Sequence, residues 1–179
     1  MRKILLIGGD LASGKSTYSR FLAKLFNVTL INKDIIKEIL GDHIIAKNRE
    51  ENLKLSVVSF ELIEYFIKTS KEDLIIESNF KQHEIDRLLK LCDNNEFLTL
   101  RFTGDDTVLH KRFLRRLEDG RHYVHKSQDF SNISDFIKVL NSLRDVKYFG
   151  EIITVITTDY NDLTNNQQLL TKIEDFFKK

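Results

Sequence analysis

The chain has 179 residues, of which 41% are hydrophobic and 31% are charged, with a formal net charge of +1. This balance predicts one globular domain over 1–179, and it excludes a global attraction to nucleic acid or acidic membranes. The single cysteine, Cys92, excludes an internal disulfide and favours a reducing, cytoplasmic location. We expect no membrane span, because no apolar run approaches about 18 residues. We expect no signal peptide, because the apolar stretch 4–7 is too short and no small-residue cleavage site follows it.

Short apolar runs alternate with helical patterns along the chain. The first run, 4–7, is continuous, as expected of a strand that is buried on both faces. Further strands are predicted at 28–31, 74–76, 97–102 and 152–156. Helices are predicted from 15 onward and at 34–40, 50–69, 85–92, 107–118, 133–143 and 169–177. Strands that alternate with helices predict a parallel, doubly wound α/β sheet.

Apolar side chains in two of these helices carry expectations about the core. The helix over 50–69 is expected to bury a stripe at helical spacing: Val58, Leu62 and Phe66. Cys92 is expected to lie in the core, on the same helix as two leucines: Leu88 and Leu89. Three aromatic residues could line a substrate pocket or belong to the core, and the core is favoured: Phe60, Tyr65 and Phe80.

The segment 9–16 reads GDLASGKS and matches the phosphate-binding pattern G-x-x-x-x-G-K-[ST] at every fixed position. The glycines let successive backbone N–H groups converge on phosphate oxygens, and the following helix adds the positive end of its dipole. A glycine-rich turn without a ligand would explain Gly14, but it would not explain Lys15 followed by Ser16. The expected nucleotide-binding residues are Gly9, Asp10, Leu11, Ala12, Ser13, Gly14, Lys15, Ser16 and Thr17.

A P-loop does not by itself name the reaction, since GTPases, motor ATPases and kinases share it. In each of them, Lys15 would bridge the β- and γ-phosphates and the Ser16 hydroxyl would ligate Mg²⁺. The segment 32–34 reads NKD, as in a guanine-reading motif. However, isoleucine follows it where that motif needs aspartate, and it lies too soon after the P-loop.

Glu77 follows the predicted strand 74–76, at the place where motor ATPases usually carry an aspartate that holds Mg²⁺. We expect Glu77 to hold Mg²⁺ through water, which departs from the common pattern. The alternative is a carboxylate that only caps the end of a strand.

Asp34 follows the second strand at its carboxyl end, where ligands bind in open α/β sheets. A carboxylate there can accept the proton of a substrate hydroxyl that attacks the γ-phosphate. Asp34 is therefore the candidate general base. The alternative is a residue that only complements the dipole of the helix that it begins.

The one concentrated basic segment is 109–126. Arg112 and Arg116 are four residues apart and share a helix face, so they could close over phosphates and stabilise the transferred group. The glycine at 120 would let the following stretch move as a lid, approximately 119–130. The alternative is a solvated basic face. The further candidate lid or substrate residues are Arg115, Arg121, His122 and His125. A metal site formed by the two histidines is disfavoured, because their spacing is loose.

Together these features resemble the small P-loop kinases, a group that includes polynucleotide 5′-kinase, chloramphenicol phosphotransferase, the zeta toxins and AAA-type ATP-binding proteins. The features that carry the resemblance are the P-loop, the NKD at 32–34, the ESNF at 77–80 and the basic lid. The resemblance implies a three-layer α/β/α fold with a five-stranded parallel sheet of order 2-3-1-4-5 and a helical lid.

The resemblance also implies roles for individual residues. Asp34 resembles the general base of polynucleotide kinase, and Arg112 and Arg116 are similar to its two lid arginines. The segment 121–125 is similar to a lid motif in which Pro-Gly stands between Arg-His and His, although here tyrosine and valine replace Pro-Gly. Adenine contacts are expected from the loop after the last strand, 157–160.

The sequence thus predicts an ATP- and Mg²⁺-dependent phosphotransferase that acts on a hydroxyl of a small molecule or a nucleotide. Nucleic acid is disfavoured as the acceptor, because the chain carries little positive charge outside the lid. Three alternatives stay open. They are a regulatory module that binds nucleotide without an acceptor, a polynucleotide 5′-hydroxyl kinase, and a toxin-type sugar-nucleotide kinase with a neutralising partner.

Overall fold

The computed structural model describes residues 1–125, 130–157 and 160–178, in which five strands form one parallel sheet. In chain order, the strands are β1 (Arg2–Gly9), β2 (Thr29–Asn32), β3 (Leu74–Glu77), β4 (Asn95–Thr103) and β5 (Glu151–Ile156). Their order in the sheet is β2-β3-β1-β4-β5. The predicted α/β fold and the strand order implied by the resemblance are confirmed.

Helices cover both faces of the sheet. In chain order, they are α1 (Lys15–Phe26), α2 (Lys33–His43), α3 (Arg49–Thr69), α4 (Gln82–Leu89), α5 (Asp106–Glu118), α6 (Ile133–Arg144), α7 (Tyr160–Thr164) and α8 (Gln167–Lys178). Two short 3₁₀ turns occupy Cys92–Asn94 and Tyr123–His125. Within the described ranges, no helix combines the length and the apolar character that crossing a bilayer requires.

Asparagine and aspartate side chains mark where several helices begin. The Asn32 side chain accepts a hydrogen bond from a backbone N–H in the first turn of α2, at 3.0 Å. Asn48, Asp105 and Asn132 do the same for α3, α5 and α6, at 2.8–3.0 Å. In a chain without proline, these caps are the local signals that fix the helix starts.

Strand β1 is buried on both faces, and its alternating side chains enter two cores. One face packs against α3 and α4, through residues that include Ile4, Leu6, Phe60, Ile63, Ile67, Ile85 and Leu88. The other packs against α1 and α8, through residues that include Leu5, Ile7, Tyr18, Leu22, Leu169, Ile173 and Phe176. A third cluster joins the P-loop to α5 and α6, through Ala12, Leu109, Phe113, Phe130, Phe136 and Leu140.

The predicted apolar stripe of α3 is wrong. Val58 and Phe66 are 41% and 42% exposed, and the helix buries a different face. That face carries Leu55, Phe60, Ile63 and Ile67. The helix carries apolar residues on all of its faces, so its sequence pattern does not identify which face is buried. Phe60 and Phe80 are core residues, as favoured, whereas Tyr65 is exposed.

Cys92 lies outside the predicted helix, because α4 ends at Leu89. It begins a 3₁₀ turn and is partly buried against the core between the sheet and α3. Leu89, predicted to share its surroundings, is 52% exposed.

Candidate active site

The P-loop joins the end of β1 to the start of α1 in a conformation that needs its glycines. Gly9 has φ +113°, and a Cβ there would lie 2.0 Å from the Phe102 carbonyl oxygen. Gly14 has φ +86°, and Ala12 also adopts the left-handed region, with φ +56°. No side chain caps the N-terminus of α1, and its first turn has no acidic residue. The Thr17 N–H donates to the Gly14 carbonyl oxygen at 3.1 Å, and no described side chain competes with an anion for the N–H groups before it.

Lys15 points back into the loop. Its side chain is buried, and Nζ donates to the Asp10 carbonyl oxygen at 2.5 Å and to that of Gly9 at 3.3 Å. Burial lowers the pKa of Lys15, while Glu77, Asp34 and Asp10 oppose this shift electrostatically. The Lys15 ammonium group thus lies inside the loop and donates to backbone carbonyl oxygens. Phosphate oxygens could take the place of these carbonyl oxygens as its acceptors.

Glu77 and Ser16 line the P-loop cavity together with Lys15. Glu77 is 3% exposed and accepts a hydrogen bond from the Asn32 amide. Burial raises the pKa of Glu77, while Lys15 and the Ser16 hydroxyl oppose the rise. A hydroxyl and a carboxylate are hard oxygen ligands of the kind that Mg²⁺ prefers, so these residues fit that ion. The described residues contain no cluster of three or more His, Cys, Asp or Glu side chains that would suit a protein-only metal site.

Asp34 lies in the first turn of α2 and lines a small cavity of about 30 Å³ at the P-loop, which we call the P-loop cavity. Gly14, Lys15, Ser16 and Glu77 line the same cavity. The candidate base is therefore directed at the phosphate-binding loop. Its neighbour Lys33 is not, because it is buried in an ion pair with Glu84 of α4.

The predicted arginines divide between two places. Arg112, Arg115 and Arg116 line a second cavity of about 400 Å³, the arginine cavity, with P-loop residues on its opposite side. Only Arg116 of the three also lines the P-loop cavity, where Arg121 joins it. Arg112 instead donates to the Thr157 carbonyl oxygen at 3.3 Å. Neighbouring arginines and burial lower the pKa of Arg116, burial having the larger effect.

The segment predicted as a lid docks onto α2 and α3. His122 bonds to Asp42 and His125 to Glu38, each at 3.0 Å. The Val124 carbonyl oxygen accepts a hydrogen bond from the Asn52 amide at 2.9 Å. The Val124 side chain is buried, with 1% exposed. Both histidines thus have carboxylate partners in the lid contact. Two predicted segments lie partly outside the described residues: 126–129 of the lid and 158–159 of the adenine loop. Thr157, the first residue of the predicted adenine loop, lines the arginine cavity.

The lid residues Arg121, Val124 and His125 line a cavity of about 660 Å³, which we call the large cavity. It lies between α2, α3, the start of α4, α5 and α6. Five residues line both this cavity and the P-loop cavity: Leu11, Asp34, Asn79, Phe113 and Arg121. Four residues line both the arginine cavity and the P-loop cavity: Ala12, Ser13, Gly14 and Arg116. The phosphate-binding loop thus lies between two larger spaces.

The side chain of Asp10, predicted to contact nucleotide, does not reach these cavities. It is fully buried and accepts hydrogen bonds from Arg144, at 2.7–3.2 Å, and from Thr103, at 2.9 Å. Arg144 also pairs with Asp106 at 2.7 Å. Sequence reasoning missed Arg144, because 134 residues separate it from Asp10. Asp10 therefore fixes the P-loop to α6, and its backbone N–H donates to the Phe102 carbonyl oxygen at 2.8 Å.

Neither a family model nor a curated protein sequence matches this chain. Several solved structures do match it. A candidate kinase from Chloroflexus aurantiacus is 22% identical, with a TM-score of 0.81 and 98% of each chain covered. A shikimate kinase from Bacteroides thetaiotaomicron is 16% identical, with a TM-score of 0.65, and the match covers 97% of this chain and 98% of that one.

A gluconokinase from Sinorhizobium meliloti is 18% identical, with a TM-score of 0.55 and 96% of each chain covered. At these identities, the similarity establishes the fold and leaves the reaction to be argued from the site. The chain has the fold of the P-loop kinases.

Proposed function

We propose that this protein is a kinase that transfers the γ-phosphoryl group of ATP to a hydroxyl group of a small molecule or nucleotide. One observation carries the proposal: the P-loop cavity shares lining residues with two larger cavities, and the residues shared with one differ from those shared with the other. A nucleotide in the arginine cavity would extend its phosphates into the P-loop, and an acceptor in the large cavity would meet the γ-phosphate there. A module that only bound nucleotide would need no second cavity.

The chain's own residues account for the binding of ATP. The N–H groups of the P-loop and of the first turn of α1 would hold the phosphates, and Lys15 would exchange its carbonyl partners for phosphate oxygens. Ser16 and Glu77 would hold Mg²⁺, Glu77 through water. Once bound, that ion neutralises charge on the β- and γ-phosphate oxygens.

The transfer step follows from the position of Asp34. As the acceptor hydroxyl attacks the γ-phosphorus, Asp34 accepts its proton, a new O–P bond forms, and the bond to the bridging β–γ oxygen breaks to release ADP. Arg116 and Arg121 line the same cavity and would stabilise the charge on the transferred group. The lid contacts would keep water from the γ-phosphate.

Asp34→Asn tests the proposal, because it keeps the size of the side chain and removes its basicity. We expect transfer from labelled ATP to fall about a hundredfold or more across a panel of sugars, nucleosides and oligonucleotide ends, while ATP affinity changes little. Asp86→Asn, on the exposed surface of α4, is the control and should keep full activity. Unchanged transfer in Asp34→Asn would refute the assignment of the base. Nucleotide binding with transfer to none of the acceptors would favour a regulatory module.

A further inference from the structure

The large cavity is unusually basic for a chain of net charge +1. Among the residues that the structure describes, four cationic side chains line it, against two carboxylates, Asp34 and Asp145. The cations are Lys33, Lys37, Lys81 and Arg121. Lys33 is neutralised by Glu84, but the other three form no ion pair with any carboxylate of the described residues. Three cations without ion pairs to described residues thus line one cavity, Lys37 and Arg121 partly buried and Lys81 exposed at its edge.

These cations are close enough to disturb one another. Lys37 is half-buried, and burial is the main reason that its pKa is lowered. The charges of Lys33, Lys81 and Arg121 lower that pKa further, against the attraction of Asp34. Like charges gathered in partly buried space are unfavourable unless an anion joins them.

Lys81 occupies a position that helix stability alone would not select. It is the N-cap of α4, where side chains with an acceptor oxygen are preferred and where a cation opposes the helix dipole. Its side chain makes no capping hydrogen bond. A residue that departs from the N-cap preference, as Lys81 does, is expected where the cavity that it lines binds a ligand.

Two polar side chains in the same wall lack partners. Ser78 is 3% exposed, and its hydroxyl makes no hydrogen bond within the described part of the protein. The side-chain oxygen of Asn79 is likewise buried without a partner. Buried polar groups are normally satisfied, so these two are available to a polar ligand. Asn79 also lines the P-loop cavity, and it therefore lies where the acceptor would meet the γ-phosphate.

We propose that the acceptor is an anionic hydroxy compound, whose carboxylate or phosphate group binds Lys37 and Lys81 while Ser78 and Asn79 hydrogen-bond its hydroxyl groups. The inference rests on the proposed function and names the class of its substrate. Arg121 lines both cavities and would contact the anionic group and the transferred phosphoryl group in turn. Apolar residues on the far side, among them Phe130, Val139 and Val146, would cover the carbon skeleton.

The test compares three probes with one skeleton: ribose, ribonate and ribose 5-phosphate. The protein is saturated with Mg²⁺ and a non-hydrolysable ATP analogue, so that the P-loop is filled, and backbone amides are followed by NMR. We expect an anionic probe to shift the amides of Lys37, Ser78 and Lys81 at concentrations roughly tenfold or more below those that ribose requires. Tighter binding of ribonate would identify a carboxylate, and tighter binding of ribose 5-phosphate a phosphate.

Lys81→Gln supplies the matched variant, with Lys90→Gln at the other end of α4 as control. Lys81→Gln should weaken the anionic probe roughly tenfold and leave ribose and the ATP analogue unaffected, whereas Lys90→Gln should change none of them. Equal affinity for ribose and both anions, or equal effects of the two variants, would overturn the inference. Selective binding of an anion with no transfer to any hydroxyl would overturn the proposed function alone.

Discussion

The Asp10 carboxylate and the Arg144 guanidinium form the contact that fixes the P-loop from behind. Asp10 is fully buried, and its oxygens accept from Arg144 and from Thr103. The Arg144 guanidinium also donates to the Gly104 carbonyl oxygen at 3.1 Å. Hydrogen bonds to Asp10 and Asp106 raise the pKa of Arg144, so this cation stays charged. One ion pair thus connects the P-loop, the end of β4 and α6.

Arg144→Ala should destabilise the protein by about 3 kcal/mol, because it leaves the carboxylate of Asp10 buried without its cation. Denaturation in urea, followed by circular dichroism, measures this change in the free energy of unfolding. Lys138→Ala, which removes an exposed ion pair with Asp135 on the same helix, is the control and should cost less than about 0.5 kcal/mol. Equal losses in both variants would mean that the buried pair contributes no more than a surface pair.

The lid and α2 pack closely against each other at Gly41, in the last turn of that helix. A Cβ at position 41 would lie 2.5 Å from the Val124 Cγ1 atom. The Gly41 carbonyl oxygen also accepts a hydrogen bond from the Tyr123 hydroxyl at 2.7 Å. Glycine has a lower helix propensity than alanine, so the close approach of the lid is the reason for a glycine in this turn.

Gly41→Ala should therefore displace the lid while it stabilises the isolated helix. We expect the backbone amides of Val124 and His125 to exchange their hydrogens faster, with no decrease in global stability. Hydrogen exchange read by mass spectrometry or NMR provides the measurement. Val124→Ala alone reports the effect of losing the buried valine, and the double variant should restore part of the protection by making room for the new methyl group. Unchanged exchange in Gly41→Ala would show that the lid adapts without opening.

Sequence patterns predicted the elements better than they predicted the contacts between them. All five predicted strands were found, and β1 and β3 carry the continuous apolar runs that a sheet covered on both faces buries. The face of α3 was wrong because Val58 and Phe66 are as apolar as the residues that it buries. In the site, the P-loop could be predicted because its residues are consecutive in the sequence, at 9–16. The partners Arg144 of Asp10 and Glu84 of Lys33 depend on tertiary packing, which spacing along the chain does not encode.

At the scale of the whole molecule, nucleotide binding should stabilise the fold, because the P-loop conformation that would bind the phosphates exists only in the folded chain. A nucleotide at a hundred times its dissociation constant adds about 2.7 kcal/mol, or a rise in Tm of roughly 5–10 °C for a domain of this size. Thermal unfolding with Mg²⁺ and either ATP or GTP measures this rise and identifies the preferred base.

Lys15→Ala should remove most of the stabilisation by nucleotide, because a buried cation no longer meets the phosphates. Lys24→Ala, which removes an exposed lysine from the last turn of the same helix, is the control and should keep it. An equal rise in Tm in both variants would contradict the assignment of the P-loop.

The position of the P-loop cavity between two larger spaces has a consequence for stereochemistry. Since both substrates have room of their own, they would be present together, and the phosphorus atom would pass directly from one oxygen to the other. A single in-line displacement inverts the configuration at phosphorus, whereas a covalent phospho-protein intermediate would invert it twice. A γ-phosphorus made chiral with sulfur and oxygen isotopes should therefore arrive on the product with the opposite handedness.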